Sequence, residues 1–202
     1  MDYNINLPFT EDEVKNIKAG DVLYLNGVVY TARDAAHKRL YDAVNDMKAK
    51  ASAEGKILSD EEIRAGLPID IKGAIVYYLG PTPARPGQVI GSAGPTTSTR
   101  MDKYTPTLLD LGMAGMIGKG RRTEDVRVSI GKNHAVYMGA TGGAGALLSK
   151  CIKKAEVVAY EDLGSEAVRR LEVVDFPAFV IIDSEGNNLY EIGRRQYLES
   201  VR

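Results

Sequence analysis

Short apolar runs, each followed by a stretch of helical periodicity, recur along the 202-residue chain and restrict what it can fold into. Residues 22–25 and 28–31 precede a helical pattern from Asp34 to about Ala53. Residues 73–79 form a buried-strand pattern, 115–118 precede a helix starting at Thr123, and 135–138 precede a helix running through Cys151. Alternation of this kind builds a sheet covered by helices. Asn26-Gly27, set between two β-type runs, is a hairpin signal. A second hairpin is expected where 178–182 and 188–190 flank Asp183-Ser184-Glu185-Gly186. Hairpins at both ends make the sheet mixed, so the expectation is an α/β fold, a mixed sheet flanked by helices, in one domain over residues 1–202.

The punctuation supplies the remaining boundaries. Residues 3–9 read as an extended arm. Thr10-Glu11-Asp12-Glu13 is a capping box opening a short helix that Gly20 closes. Asp34 is placed to cap the long helix, with Ala35, Leu40, Val44 and Met47 on its inner side. The polar stretch 48–61 reads as a loop, with Ser59 and Glu62 offering another capping box. Residues 80–87 carry too many prolines for a sheet, and 88–90 read as a short strand. Residues 157–159 and 171–174 are strands, and Phe176-Pro177 is expected to break the chain.

Composition removes several functions. Apolar content of 44%, charged content of 26% and a net charge of −1 describe a globular chain with no basic stripe for nucleic acid and no apolar run able to span a membrane. The N-terminus has no signal-peptide pattern, which makes the cytoplasm the expected compartment. One cysteine, Cys151, and two histidines, His37 and His134, cannot supply the thiolates of an iron–sulfur cluster, and no metal ligand set is expected here. Chemistry that needs a cluster requires another chain to bring it.

The stretch 91–104, Gly-Ser-Ala-Gly-Pro-Thr-Thr-Ser-Thr-Arg-Met-Asp-Lys-Tyr, is the densest in chemistry. Gly94-Pro95 reads as a chain reversal. Hydroxyl residues follow, then a helical pattern through Met101, Leu108, Leu109 and Leu111 that Gly112 ends. A turn rich in Gly and Thr leading into a helix suits an anion, and the Arg100 fork suits a carboxylate or phosphate. The same pattern also describes a Thr-rich turn with a capping arginine. Gly-Pro-Thr-Thr-Ser-x-Arg-Met-Asp-x-Tyr, followed by Met116-Ile117-Gly118-Lys119-Gly120, resembles the C-terminal half, or β subunit, of class I (iron–sulfur) fumarate hydratases. The L-tartrate dehydratase β subunit is similar, although Met-Asp-Lys-Tyr and Asp175-Phe176-Pro177-Ala178-Phe179 look more like fumarase.

That resemblance implies a swivelling β/β/α domain closing over an α subunit whose 4Fe-4S cluster binds the substrate. It implies a hetero-oligomer, either one αβ pair or a dimer of pairs, acting on a small dicarboxylate. It also implies roles. Thr96 matches a threonine proposed as catalytic base, while Arg33, Arg100 and Lys119 match substrate-binding cations. Residues 48–61 look like an insertion relative to the family. Thr99 departs from its pattern, where Gly or another small residue is usual.

On residue type alone, Arg33, Thr96, Arg100 and Lys119 each follow a strand or turn beside Gly or Thr, where a scaffold can aim them. A threonine hydroxyl is too weakly acidic to act unaided. Either a neighbouring carboxylate takes its proton, or cations stabilise the alkoxide, or it only binds or caps. His37, one helical turn after Arg33, can face a substrate carboxylate or Asp34, or be a satisfied core residue. Asp102 can hold a neighbouring cation or cap a helix. The rival signal is the Gly-rich turn 139–145, which follows a strand and precedes a helix as in nucleotide-binding modules but lacks G-x-G-x-x-G spacing.

Overall fold

A computed structural model describes residues 1–201. In chain order the elements are β1 (Asp2–Asn6), α1 (Glu11–Asn16), β2 (Val22–Thr31), α2 (Asp34–Ala53), α3 (Asp60–Ala65), β3 (Ile75–Tyr77), α4 (Thr105–Asp110), β4 (Gly115–Gly118), α5 (Glu124–Lys132), β5 (Val136–Gly139), α6 (Gly145–Cys151), β6 (Ile152–Ala159), β7 (Val168–Ile182) and α7 (Leu189–Ser200), with 3-10 turns at Ser98–Met101 and Glu161–Glu166. Strands β1 to β5 run parallel to their neighbours in that order. β7 lies antiparallel to β5, to β6 and to β2, so the circuit β2-β3-β4-β5-β7 closes on itself. The expected mixed sheet with flanking helices is the one observed.

Strand alternation explains why closure is favourable. Successive side chains of a strand point to opposite faces. Ile75, Tyr77, Leu79, Ile117, Val136 and Met138 therefore enter one core with Leu23, Leu25, Leu171 and Phe176. The intervening Val76, Tyr78, Met116 and Tyr137 enter a second core under the helices, with Leu40, Val44, Leu108, Val126 and Ile130. Both faces of these short parallel strands are buried, as crossover helices require.

The capping boxes at Thr10/Glu13 and Ser59/Glu62 form as read. Several other expectations are corrected. Asn26-Gly27 makes no hairpin: β2 runs straight through it, with a bulge opposite β7. Gly27 has φ 125°, and a Cβ there would lie 3.1 Å from both the Cβ and the carbonyl oxygen of Leu7, so the glycine serves a bulge and a close crossing. The inner face of α2 carries Ala36 and His37 in place of Ala35, and Arg33, not Asp34, is its N-cap. That helix extends through Ala53, so 48–61 is loop only after its first turns. Residues 88–90 form no strand.

Gly94-Pro95 is not a reversal but an extended segment bridged to Leu79. Phe176-Pro177 does not break β7, because residues 176–178 pair only with β2, which leaves an edge free for the missing proline N–H. The second hairpin closes in a single antiparallel bridge, Ile182 to Asn188, and residues 189–190 open α7 with Asn188 as N-cap instead of extending a strand. Thr99 lies inside a 3-10 turn and not at positive φ, so its branched side chain is accommodated. Among the described residues no helix is long and apolar enough to cross a membrane.

Gly118 sits where β4 delivers the chain to the loop that follows. A Cβ on it would lie 2.1 Å from Ser98 Oγ and 2.9 Å from the Tyr78 ring. Gly118→Ala is expected to destabilise the chain by about 2 kcal/mol through overpacking, lowering the melting temperature by about 5 °C in a thermal scan.

Candidate active site

The carboxyl ends of the parallel strands β2, β3, β4 and β5 point the same way, and each carries the chain into a loop that holds candidate residues. Arg33 follows β2, Gly80 follows β3, Lys119 follows β4, and the glycine-rich turn follows β5. Ligands of parallel α/β sheets bind at this end. The segment 95–100 is laid across it. Its backbone is tied down in sequence: Thr96 N–H donates to the Tyr78 carbonyl (2.8 Å), Lys119 N–H to the Thr96 carbonyl (3.2 Å), and Ser98 N–H to the Lys119 carbonyl (2.9 Å). Thr96 and Lys119, 23 positions apart in the chain, thus sit on adjacent backbones. The glycine-rich turn closes against Lys119, where a Cβ on Gly142 would lie 3.7 Å from the lysine Cδ.

The two arginines meet over one carboxylate. Arg100 Nη2 donates to Asp34 Oδ2 at 2.7 Å, and Arg33 Nε lies 3.7 Å from Asp34 Oδ1. Arg33 Nη2 also reaches Glu166 Oε1 at 3.2 Å, while Glu166 Oε2 accepts from the Ala35 N–H at 3.1 Å. Gly80 makes room for this: a Cβ there would stand 2.7 Å from Arg33 Nη1. Arg33 Nε and Asp34 Oδ1 are both buried without a hydrogen-bond partner. The two atoms face each other as an ion pair 3.7 Å apart, just beyond hydrogen-bonding distance. Arg100 stays half exposed, Thr96 is partly buried, and Lys119 is exposed. The four predicted residues therefore share one end of the sheet, in two linked pairs. An open cleft lined by Pro81, Val89, Val157 and Arg169 contains none of them.

Behind this face lies a group that the sequence reading missed. Arg122 is fully buried. Its Nε donates to Asp102 Oδ1 (2.6 Å), Nη2 to Thr105 Oγ1 (2.8 Å) and Nη1 to the Tyr78 hydroxyl (3.2 Å), and its guanidinium lies 5.3 Å and 5.0 Å from the Tyr78 and Tyr137 ring centroids. Burial opposes its charge, yet Tyr78, Asp102 and Tyr137 outweigh that and hold it more firmly protonated than a free arginine. Asp102 spends its second oxygen on the Thr123 N–H at 2.7 Å, capping α5. It is thus the cation holder and helix cap that its residue type allowed. Arg121-Arg122 announced two cations but not which one turns inward. Glu166, 133 positions after Arg33, carried no local signal at all.

His37 takes the core alternative. It is wholly buried, edge-on to Tyr78 at 5.1 Å, with Nδ1 2.9 Å from the Arg33 carbonyl. Since a carbonyl only accepts, Nδ1 carries the proton and Nε2 is left as an unpartnered acceptor. Burial lowers its pKa to about 4. His134 lies in the turn after α5, outside the cluster.

Three of the four glycines of 139–145 lie against neighbouring groups, and the fourth, Gly143, takes a positive φ of 82°. Gly139 lies against Ile181, and a Cβ on Gly145 would come within 2.4 Å of Ser92 Oγ and 2.8 Å of Gly94 N. The following helix, α6, has only seven residues. These contacts and the turn at Gly143 give the glycines structural roles. An iron–sulfur cluster does not fit this chain either. Among the described residues no three His, Cys, Asp or Glu side chains could hold a metal ion together, and Cys151, its thiol pushed up by burial, sits on the Asp175 carbonyl.

With that geometry established, likeness to other proteins decides the family. The family model described as Fumarase C-terminus matches residues 1–193. The chain belongs to the fumarase C-terminus family. A protein of Methanocaldococcus jannaschii, provisionally named L(+)-tartrate dehydratase subunit beta, is 34% identical over 207 residues, covering 100% of this chain and 97% of that protein. The aerobic class I fumarate hydratases of Salmonella typhimurium and Escherichia coli are 34% and 36% identical over 192 and 171 residues, or 93% and 84% of this chain. The chain spans only 30% and 28% of the length of those two enzymes.

Two measurements test this reading of the site. Asp102→Ala strands a buried guanidinium, and is expected to cost about 3–5 kcal/mol, read by denaturant unfolding. His37, with its pKa depressed below the free value of 6.5, contributes stability that is complete above pH 6.5 and is lost as pH falls to about 4, by roughly 3 kcal/mol in total. His37→Asn, which keeps a donor for the Arg33 carbonyl but cannot titrate, is expected to lose that part of the pH dependence.

Proposed function

We propose that this chain is the β subunit of a two-chain fumarate hydratase that reversibly adds water to fumarate to give L-malate. The observation that carries the proposal is the pairing of Arg33 and Arg100 around Asp34 at the same sheet end as the Thr96–Lys119 backbone contact. A C4 dicarboxylate has two anionic ends, and guanidinium forks hold carboxylates with fixed geometry. In this reading one substrate carboxylate replaces Asp34 on Arg100, and Arg33 and Lys119 receive the other charge. Thr96 removes or returns the proton on the carbon being deprotonated or protonated. Arg100 and Lys119 stabilise its alkoxide, or a carboxylate of the partner takes its proton. The open cation face needs a covering surface, and the proposal assigns that surface and the 4Fe-4S cluster to an α subunit. The assembly is then an αβ pair or a dimer of such pairs, and the cytoplasm is its proposed compartment.

L-tartrate dehydration is the second reading, since the M. jannaschii relative, which this chain matches over 97% of its length, carries that name. The two substrates differ by one hydroxyl. Anaerobic assay of the co-expressed α and β chains with malate and with tartrate chooses between them. Turnover of either by the isolated chain would overturn the proposal. In the assembled enzyme Thr96→Ala is expected to lower kcat by roughly 10²–10⁴-fold with little change in KM; a loss confined to KM would make Thr96 a binding group only.

A further inference from the structure

We propose that Tyr137 is a positioning residue, clamping the backbone that carries Thr96 to the backbone that carries Lys119. The inference rests on the functional reading above only in calling that geometry catalytic. Tyr137 stands on β5 with its ring fully buried against Arg122. Its hydroxyl meets two groups, the Gly120 carbonyl at 2.8 Å and Ser98 Oγ at 2.8 Å. A carbonyl cannot donate, so the one phenolic proton goes to Gly120, and Ser98 donates its own proton to the phenol oxygen. Burial pushes the phenol's pKa upward, so the proton stays in place.

The clamp joins residues one and two positions away from Lys119 and Thr96. Ser98 is two positions after Thr96, opens the turn that carries Arg100, and is fully buried. Gly120 is the residue after Lys119. Two backbone bonds, Lys119 N–H to Thr96 and Ser98 N–H to Lys119, already lie side by side, and the phenol spans both strands on their buried side as a third tie. Gly118, with no room for a Cβ against Ser98 Oγ, is the residue that lets Ser98 come this close. Without the phenol, a buried serine hydroxyl and a carbonyl lose their partner together. Such groups are expensive to leave unmade, so the two segments must separate or admit water.

Tyr137→Phe keeps the ring over Arg122 and removes only the clamp. Ser98→Ala removes one leg and leaves the Tyr137–Gly120 bond. In the full chain, hydrogen exchange at the Ser98 and Lys119 amides, read by mass spectrometry, is expected to accelerate at least about tenfold in Tyr137→Phe and less in Ser98→Ala. In the assembled enzyme kcat is expected to fall roughly 10- to 100-fold, and KM to rise by a smaller factor, since the clamp holds the Lys119 backbone while the Arg33–Asp34–Arg100 pairing makes no contact with the phenol. The double variant is expected to be no worse than Tyr137→Phe alone. Unchanged exchange in Tyr137→Phe, or faster exchange with wild-type kcat, would overturn the inference. An inactive wild-type pair would instead remove the functional reading, while exchange still decides whether the clamp exists.

Discussion

A single buried cation organises the middle of this molecule. Arg122 has no water to solvate it, so its charge must be met by protein groups, and Asp102, Thr105, Tyr78 and two aromatic faces meet it. Each of those partners belongs to a different element. Asp102 follows the 3-10 turn of the chemical segment, Thr105 opens α4, Tyr78 follows β3 and Tyr137 lies on β5. Satisfying one guanidinium therefore fixes four elements relative to one another. A buried pair of this type contributes more to uniqueness than to stability, because desolvation consumes most of the Coulombic gain.

The consequence at the surface is a division of labour. Around Arg122, behind the sheet end, Asp102 uses both oxygens, and the phenol of Tyr137 uses its proton and a lone pair. In front, Arg33 Nε and Asp34 Oδ1 lack hydrogen-bond partners. A saturated layer therefore lies behind a face on which Arg100 and Lys119 are open to solvent.

Where local chemistry was sufficient, the sequence was legible. Both capping boxes formed, because an N-cap hydroxyl and an N3 carboxylate need only four consecutive residues to meet. The α/β class followed from the alternation of strand and helix patterns. The errors share one cause. Asn26-Gly27 is a hairpin signal only if the chain has no better partner, and β7 offered β2 a long antiparallel partner straight past it. Pro177 breaks a strand only if both edges are occupied. Asn188 begins a helix because nothing pairs with residues 189–190.

What the amino acids determined by themselves is the inventory: helix starts, two-faced strands, a Thr-rich segment before Arg100, too few thiols for a cluster, and the four groups placed at element ends. What only the tertiary structure decided is company. Arg33 and Arg100 share Asp34, Glu166 arrives from the far end of the chain, and Arg122 rather than Arg121 turns inward. Those pairings depend on which strands close the sheet, and closure is a long-range competition among edges that no short stretch of sequence contains.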